Sequence, residues 1–220
     1  MGTIVKICGL TTIEDCLAIQ DSGVDYVGFV FAPSRRQVSA ELAKTLSGYI
    51  KKDVKKTGVF VNPSYTEVAR AVYESGLDAV QLHGDESPAL LRKIKRELPV
   101  QIIKAIRVKN KGDFPSDTLE ELGEWFNILL LDTYSQSSYG GTGHRFSWDM
   151  IPTFSLWAKE RNKSLFVAGG LNGENVTDLI YEYQPDGVDV SSGVETDGRK
   201  DQQKIRRFVE RVKGIDFKAR

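Results

Sequence analysis

The chain has few of the residues that build metal, disulfide or redox centres. Its 220 residues include only two cysteines, Cys8 and Cys16, and two histidines, at positions 83 and 144. The cysteines form no CxxC pair and no cluster with the histidines, so we expect neither a metal site nor a disulfide framework. The simplest interpretation is that both cysteines are free thiols in a reducing compartment.

Net charge and long apolar runs are also lacking. Thirty basic and thirty acidic residues give a formal charge of zero, so bulk electrostatics give no reason to expect a nucleic-acid or membrane partner. No apolar stretch reaches the roughly 18 residues of a membrane span, and the N-terminus lacks the apolar core of a signal peptide. We therefore expect a cytoplasmic protein. The glycine patterns GxGxxG and GxxxxGK[ST] are missing too, so no cofactor is expected.

The sequence does contain a regular alternation of two kinds of segment. Short β-branched apolar runs alternate with amphipathic stretches, which is typical of repeated βα units around a parallel sheet. The eight runs are TIVKICG, YVGFVF, KKTGVFV, AVQLHG, QIIKAIRV, NILLLDT, SLFVAGG and GVDVSS. We predict a single (β/α)₈ barrel domain over residues 1–220. An open doubly wound sheet is the alternative, because the number of strands does not prove closure.

Helix-like segments lie between the apolar runs, and several of them begin at a polar residue that can cap a first turn. The predicted starts are near Thr12, Ser39, Ser64, Ser87, Phe114, Trp148, Asn172 and Asp201. Thr11 followed by Glu14, and Ser64 followed by Glu67, have the spacing of a capping box.

Cys8 is the first candidate for chemistry. In a (β/α)₈ barrel the active site lies where the strands end, and Cys8 closes the first apolar run. Lys6 lies two residues back on the same strand face and is expected to lower the thiol pKa, unless it pairs with a carboxylate such as Asp132. The alternative is a buried, inert cysteine, an interpretation that suits the mid-helix Cys16.

Asp132 and His83 end the sixth and fourth runs. Asp132 follows the apolar segment ILLL, and partial burial would raise its pKa and let it act as a general acid near neutral pH. A loop-capping aspartate is the alternative. His83 is either a second acid or hydrogen-bond donor at the site, or a packed histidine with satisfied hydrogen bonds.

Glycine-rich loops follow the last three runs and predict a phosphate site. Glycine lets backbone N–H groups approach an anion closely, and barrels often bind phosphate in the loops after strands seven and eight. Ordinary turn glycines are the alternative. The candidate phosphate-binding residues are Gly141, Gly143, Gly169, Gly170, Ser192 and Gly193.

Two more residues are candidates for substrate binding. Arg36 lies in the loop after the second run, where a guanidinium can clamp a carboxylate with two hydrogen bonds. Asp189, in the eighth run, either binds substrate or caps a turn.

Seven motifs in this order resemble the phosphoribosylanthranilate isomerase family. They are KICGL at 6–10, SRR at 34–36, QLHGDE at 81–86, LLLDT at 129–133, GGTG at 140–143, AGGLN at 168–172 and GVDVSSGVE at 187–195. The resemblance implies a (β/α)₈ barrel that converts N-(5-phosphoribosyl)anthranilate to 1-(2-carboxyphenylamino)-1-deoxyribulose 5-phosphate, an Amadori rearrangement that needs no cofactor. It further implies that Cys8 is the general base, that Asp132 is the general acid, and that Arg36 holds the anthranilate end of a small phosphosugar substrate.

Other functions stay open at this stage. One is a different phosphosugar barrel enzyme, either a sugar-phosphate epimerase or the aminoaldose isomerase of histidine synthesis. The latter is expected to carry an aspartate where Cys8 stands. Another is a non-catalytic barrel that binds a phosphometabolite. The sequence also allows either a monomer or a homodimer.

Overall fold

Eight parallel strands close into a barrel in the computed structural model, which describes residues 2–108, 114–133 and 148–215. Each strand pairs with the next, and the last pairs with the first, so the predicted (β/α)₈ barrel is confirmed and the open sheet is ruled out. The strands are β1 (Ile4–Cys8), β2 (Tyr26–Val30), β3 (Lys55–Phe60), β4 (Ala79–Leu82), β5 (Gln101–Val108), β6 (Ile128–Thr133), β7 (Ser164–Val167) and β8 (Gly187–Val190).

A helix follows each strand of the barrel. The helices are α1 (Ile13–Ala18), α2 (Ala40–Ser47), α3 (Tyr65–Ser75), α4 (Pro88–Glu97), α5 (Ser116–Leu122), α6 (Ile151–Glu160), α7 (Val176–Tyr183) and α8 (Gln202–Lys213). Short 3₁₀ turns occupy Gly123–Trp125, Trp148–Met150 and Ser192–Val194. Between β8 and α8 the chain adds a small antiparallel hairpin of β9 (Glu195–Thr196) and β10 (Arg199–Lys200). Within the described ranges, no helix is long and apolar enough to cross a membrane.

Four helices are capped at the predicted residues, whereas α5, α6 and α7 have no side-chain cap and α7 begins at Val176, past the predicted Asn172. Side-chain oxygens of Ser39, Ser64, Ser87 and Asp201 accept backbone N–H groups at the starts of α2, α3, α4 and α8. At α1 the prediction was wrong by one residue. Thr12, not Thr11, caps the helix, and its partner in the capping box is Asp15, not Glu14. The Asp15 carboxylate accepts the N–H groups of both Thr11 and Thr12, which fixes this register.

The barrel interior holds both apolar and polar side chains. Side chains such as Tyr26, Ile128 and Phe166 fill one part of it with a buried apolar cluster. The strands also carry buried polar side chains, called the polar layer below, among them Lys6, Thr57, Gln81 and Asp189. Successive strand residues alternate between the two faces of a sheet, so Cys8 faces the same interior as Lys6. The polar layer therefore lies directly beneath the end of β1.

Candidate active site

A cavity of about 600 Å³ opens at the C-terminal ends of the strands. Its lining includes Cys8, Arg36, His83, Asp132, Gly169, Gly170, Asp189 and Ser192. Eight of the candidate residues, which lie far apart in the sequence, therefore come together. Gly193 follows Ser192 in the 3₁₀ turn after β8 and is not a lining residue. Gly141 and Gly143 lie outside the described residues.

The Cys8 thiol occupies space that a glycine leaves open. Cys8 is half-buried and stands beside Gly28 on the neighbouring strand. A Cβ at position 28 would lie only 2.8 Å from the Cys8 Sγ, so a side chain larger than hydrogen would displace the thiol. The sequence analysis missed Gly28. An isolated glycine inside the strand YVGFV, which often marks a close approach, was the available sign.

Burial controls the pKa of the Cys8 thiol. It raises this pKa above its usual value, and the nearby charge of Asp189 raises it too, while Lys6 and Lys200 act in the opposite direction. The net shift is upward, so the prediction of a lowered pKa was wrong. The reason is that loss of hydration around the thiolate outweighs the attraction of the two ammonium groups. Cys16 lies in the core as predicted, and burial raises its pKa to about 12.

Lys6 forms a buried ion pair with Asp189. The two residues face each other in the register of β1 and β8, and Lys6 Nζ lies 2.9 Å from Asp189 Oδ2. The suggested pairing of Lys6 with Asp132 was therefore wrong. Burial lowers the pKa of Lys6, but the charges of Asp189 and Cys8 outweigh it and the net shift is upward. An ammonium group consequently stays charged in the polar layer beneath the thiol.

Asp132 and His83 are in contact across the cavity rim. His83 Nε2 lies 3.1 Å from Asp132 Oδ2, and the Asp132 side chain is 29% exposed. The pair is close enough for an ion pair, although Nε2 makes no aligned hydrogen bond to any residue that the structure describes. Gln81, buried below, places its Nε2 at 3.4 Å from Nδ1 of His83. His83 therefore connects the polar layer to the candidate acid.

The glycines after β7 and β8 have backbone positions that suit no larger residue. Gly169 and Gly170 have φ values of +87° and +65°, in the left-handed region that glycine adopts most readily. A Cβ at Gly193 would lie 1.8 Å from the carbonyl oxygen of Leu171, so the two loops pack too closely for any side chain there. The assignment of these glycines to a phosphate site stays a prediction.

Arg36 reaches the cavity already paired with a carboxylate of the protein. Its Nε and Nη2 each donate to Glu195 over 2.8 Å, and Glu195 also accepts from Lys200 Nζ at 2.8 Å. The sequence analysis missed Glu195 and Lys200. Only the packing of the β9–β10 hairpin against the loop after β2 brings them to Arg36.

A family model described as N-(5′-phosphoribosyl)anthranilate (PRA) isomerase matches residues 5–211. The chain belongs to the PRA isomerase family. It is 44% identical over 211 residues to the N-(5′-phosphoribosyl)anthranilate isomerase of Streptococcus pneumoniae (strain Hungary19A-6), with 96% of each chain covered. The resemblance in the sequence motifs is thereby confirmed.

Solved structures of PRA isomerases have the same fold. A dimeric PRA isomerase from Thermotoga maritima, solved as mutually generated monomers, is 38% identical, with a TM-score of 0.79 over 97% of this chain and 100% of that one. A PRA isomerase in complex with reduced 1-(o-carboxyphenylamino)-1-deoxyribulose 5-phosphate is also 38% identical, with a TM-score of 0.79 and the same coverage. The barrel of this chain is thus the barrel of the family.

Proposed function

We infer that this PRA isomerase converts N-(5-phosphoribosyl)anthranilate to 1-(2-carboxyphenylamino)-1-deoxyribulose 5-phosphate in tryptophan biosynthesis, with Cys8 as general base and Asp132 as general acid. Membership of the family along nearly the whole chain supports the reaction. The observation that carries the assignment of roles is that Cys8 and Asp132, at the ends of β1 and β6, line one cavity together with the glycines after β7.

Asp132 is proposed to open the sugar ring. Its carboxyl group gives a proton to the ring oxygen, the bond from that oxygen to C1′ breaks, and the nitrogen lone pair forms an iminium with C1′. Partial exposure of Asp132 to the cavity puts the carboxyl within reach of a bound ligand. His83 Nε2 lies 3.1 Å from Asp132 Oδ2, and this contact restricts the orientations of the carboxyl. A positioned acid of this kind contributes about 10²- to 10⁴-fold to the rate.

Cys8 is proposed to take the next proton. The iminium acidifies the hydrogen on C2′, and the Cys8 thiolate removes it. The electrons of that bond form a double bond between C1′ and C2′, and the iminium electrons return to nitrogen. The resulting enolamine becomes the ketose when its 2′-hydroxyl loses a proton and C1′ gains one, so substrate and product are isomers. The room beside Gly28 lets the thiol face the cavity.

Lys6 is proposed to favour the thiolate form of Cys8. Its ammonium group lies in the buried layer below, fixed by Asp189 at 2.9 Å, and its charge opposes the effect of burial on the Cys8 pKa. Because the thiol pKa is nevertheless raised, the thiolate is the minor form near neutral pH. The rate should therefore increase as the pH approaches that pKa.

The two ends of the substrate are proposed to bind to different groups of the rim. Gly169 and Gly170 present backbone groups to the phosphate, while Arg36 faces the carboxylate of the anthranilate ring. Ser192 and Gly193 extend the phosphate site. Asp189 contacts substrate only from below, through Oδ1, which has no hydrogen-bond partner in the described part of the chain. Holding both ends fixes the reacting carbons between base and acid.

The activity is tested by following the loss of PRA fluorescence with purified protein. The same preparation is also assayed with the aminoaldose phosphate of histidine synthesis. Turnover of PRA supports the proposal, whereas rearrangement of the histidine-pathway compound alone would overturn it. A cytoplasmic location, a single domain over residues 1–220, and the choice between monomer and homodimer stay predictions.

A further inference from the structure

Glu195 is the centre of a cluster of cations next to the cavity. It lies on β9, outside the barrel sheet, and its carboxylate accepts hydrogen bonds from three different side chains. Arg36 donates from Nε and Nη2 over 2.8 Å each, Lys200 from Nζ over 2.8 Å, and Arg35 from Nη2 over 2.9 Å. The mechanism described above uses only Arg36 from this cluster.

The carboxylate of Glu195 is both buried and ionised. Its side chain is only 4% exposed. Burial raises the pKa of Glu195, but the hydrogen bonds and charges of Arg36 and Lys200 outweigh it and bring the pKa to about 2. A buried carboxylate with this set of partners holds its cations in fixed geometry, since moving either would leave a charge unpaired in the interior. Glu195 thus stays anionic throughout any practical assay range.

The pairing fixes which edge of the Arg36 guanidinium is available. Glu195 accepts from the edge of the guanidinium made by Nε and Nη2. Among the residues that the structure describes, Nη1 and the second hydrogen of Nη2 have no acceptor. On its other side the Arg36 side chain lies against Gly9, where a Cβ would be 2.4 Å from Arg36 Cδ. The guanidinium is therefore held between Glu195 and the residue that follows Cys8.

The charge balance of the cluster favours a second anion. Among the described residues, Arg35, Arg36 and Lys200 form ion pairs with one shared carboxylate, so cations are in excess in this cluster. Of these three cations, Arg36 lines the cavity. Its remaining edge has the planar pair of donors that matches a carboxylate end-on.

We propose that Glu195 is a positioning residue that, braced by Lys200, aims the free edge of Arg36 at the carboxylate of the substrate. The inference rests on the proposed function, because it needs a substrate that carries a carboxylate at the Arg36 end. Glu195 itself touches neither the substrate nor the reacting atoms in this account. Glu195 holds Arg36 in one orientation before the substrate binds. Arg36 therefore loses less conformational entropy when the substrate binds.

The test is a double-mutant cycle in the PRA assay. Glu195→Gln keeps the shape of the side chain but removes its charge, so Arg36 is held less firmly. We expect KM for PRA to rise about tenfold with kcat changed less than about twofold, as for loss of an interaction made equally in ground and transition states. In an Arg36→Met background the same substitution should raise KM no further, because the residue on which it acts is gone.

Two further variants keep the test decisive. Arg35→Ala removes the exposed partner of Glu195 and should change KM far less than Glu195→Gln does. Glu195→Asp retains the buried charge but retracts the carboxylate, so it should raise KM in the same direction and serves if Glu195→Gln folds poorly. If the unsubstituted protein turns over PRA and both Glu195 variants keep its KM, the positioning role is wrong. It is equally wrong if the Glu195 and Arg36 effects simply add. Absence of turnover by the unsubstituted protein would instead overturn the proposed function.

Discussion

Gly28 provides the space that the thiol of Cys8 occupies, since a Cβ at position 28 would lie 2.8 Å from the Cys8 Sγ. The two residues are partners in the register of β1 and β2, so the backbone cannot separate them without disturbing the barrel. The position of the proposed base therefore depends on a residue that takes no part in the chemistry.

Gly28→Ala should displace the thiol and lower kcat. A misplacement of about 1 Å at a reacting group costs on the order of 100-fold in rate, and overpacking a filled interior costs about 1–3 kcal/mol of unfolding free energy. Steady-state kinetics and denaturant unfolding measure the two effects. Gly123→Ala, where a Cβ would meet Trp157 at an ordinary 3.4 Å, is the matched control and should change kcat little. Normal kcat in Gly28→Ala would show that the thiol does not need its present position.

Lys6→Met should move the pH dependence of the reaction. The charge of Lys6 lowers the pKa of Cys8, so removing it raises that pKa, and less thiolate is present at any given pH. The rising limb of kcat/KM against pH should therefore shift to higher pH. Lys104→Met is the control, because it also breaks a buried ion pair, with Glu86, but Lys104 is not among the groups that shift the Cys8 pKa. An unshifted limb in Lys6→Met would contradict the proposed role of Lys6.

Gly170→Ala should weaken phosphate binding without a steric clash. A Cβ at this position meets no atom within 4 Å, so the change acts only through the left-handed backbone, with φ at +65°. An alanine there costs about 1–2 kcal/mol, and relaxation of the loop should raise KM for PRA and weaken inhibition by inorganic phosphate. Gly76→Ala imposes the same backbone strain at φ +60° at the end of α3 and should leave both unchanged. Unaltered phosphate inhibition in Gly170→Ala would remove Gly170 from the site.

Periodicity and strand ends predicted the barrel and most of the cavity lining. Alternating apolar runs give the strand order, and closure then gathers Cys8, His83 and Asp132 at one rim. The partners of buried charges were not predictable in the same way. Lys6 pairs with Asp189 because of the register between β1 and β8, which the sequence does not reveal.

The effect of burial on the pKa of Cys8 could not be predicted from the sequence either. The neighbours of Cys8 along the chain suggested a lowered pKa, but the depth of the thiol in the barrel reversed the direction. Glu195 was missed for a related reason. Its carboxylate contacts Arg36 only because the β9–β10 hairpin packs against the loop after β2, which is distant in the sequence.

Cys8 and Asp132 are proposed to act as base and acid in one site. The most direct measurement is kcat for PRA in Cys8→Ser and in Asp132→Asn, with binding of the reduced product analogue by calorimetry and with Cys16→Ala as the control thiol variant. Each site variant should lose about 10²- to 10⁴-fold in kcat and still bind the analogue, whereas Cys16→Ala should keep its kcat. Near-normal turnover by either site variant would contradict the role given to that residue.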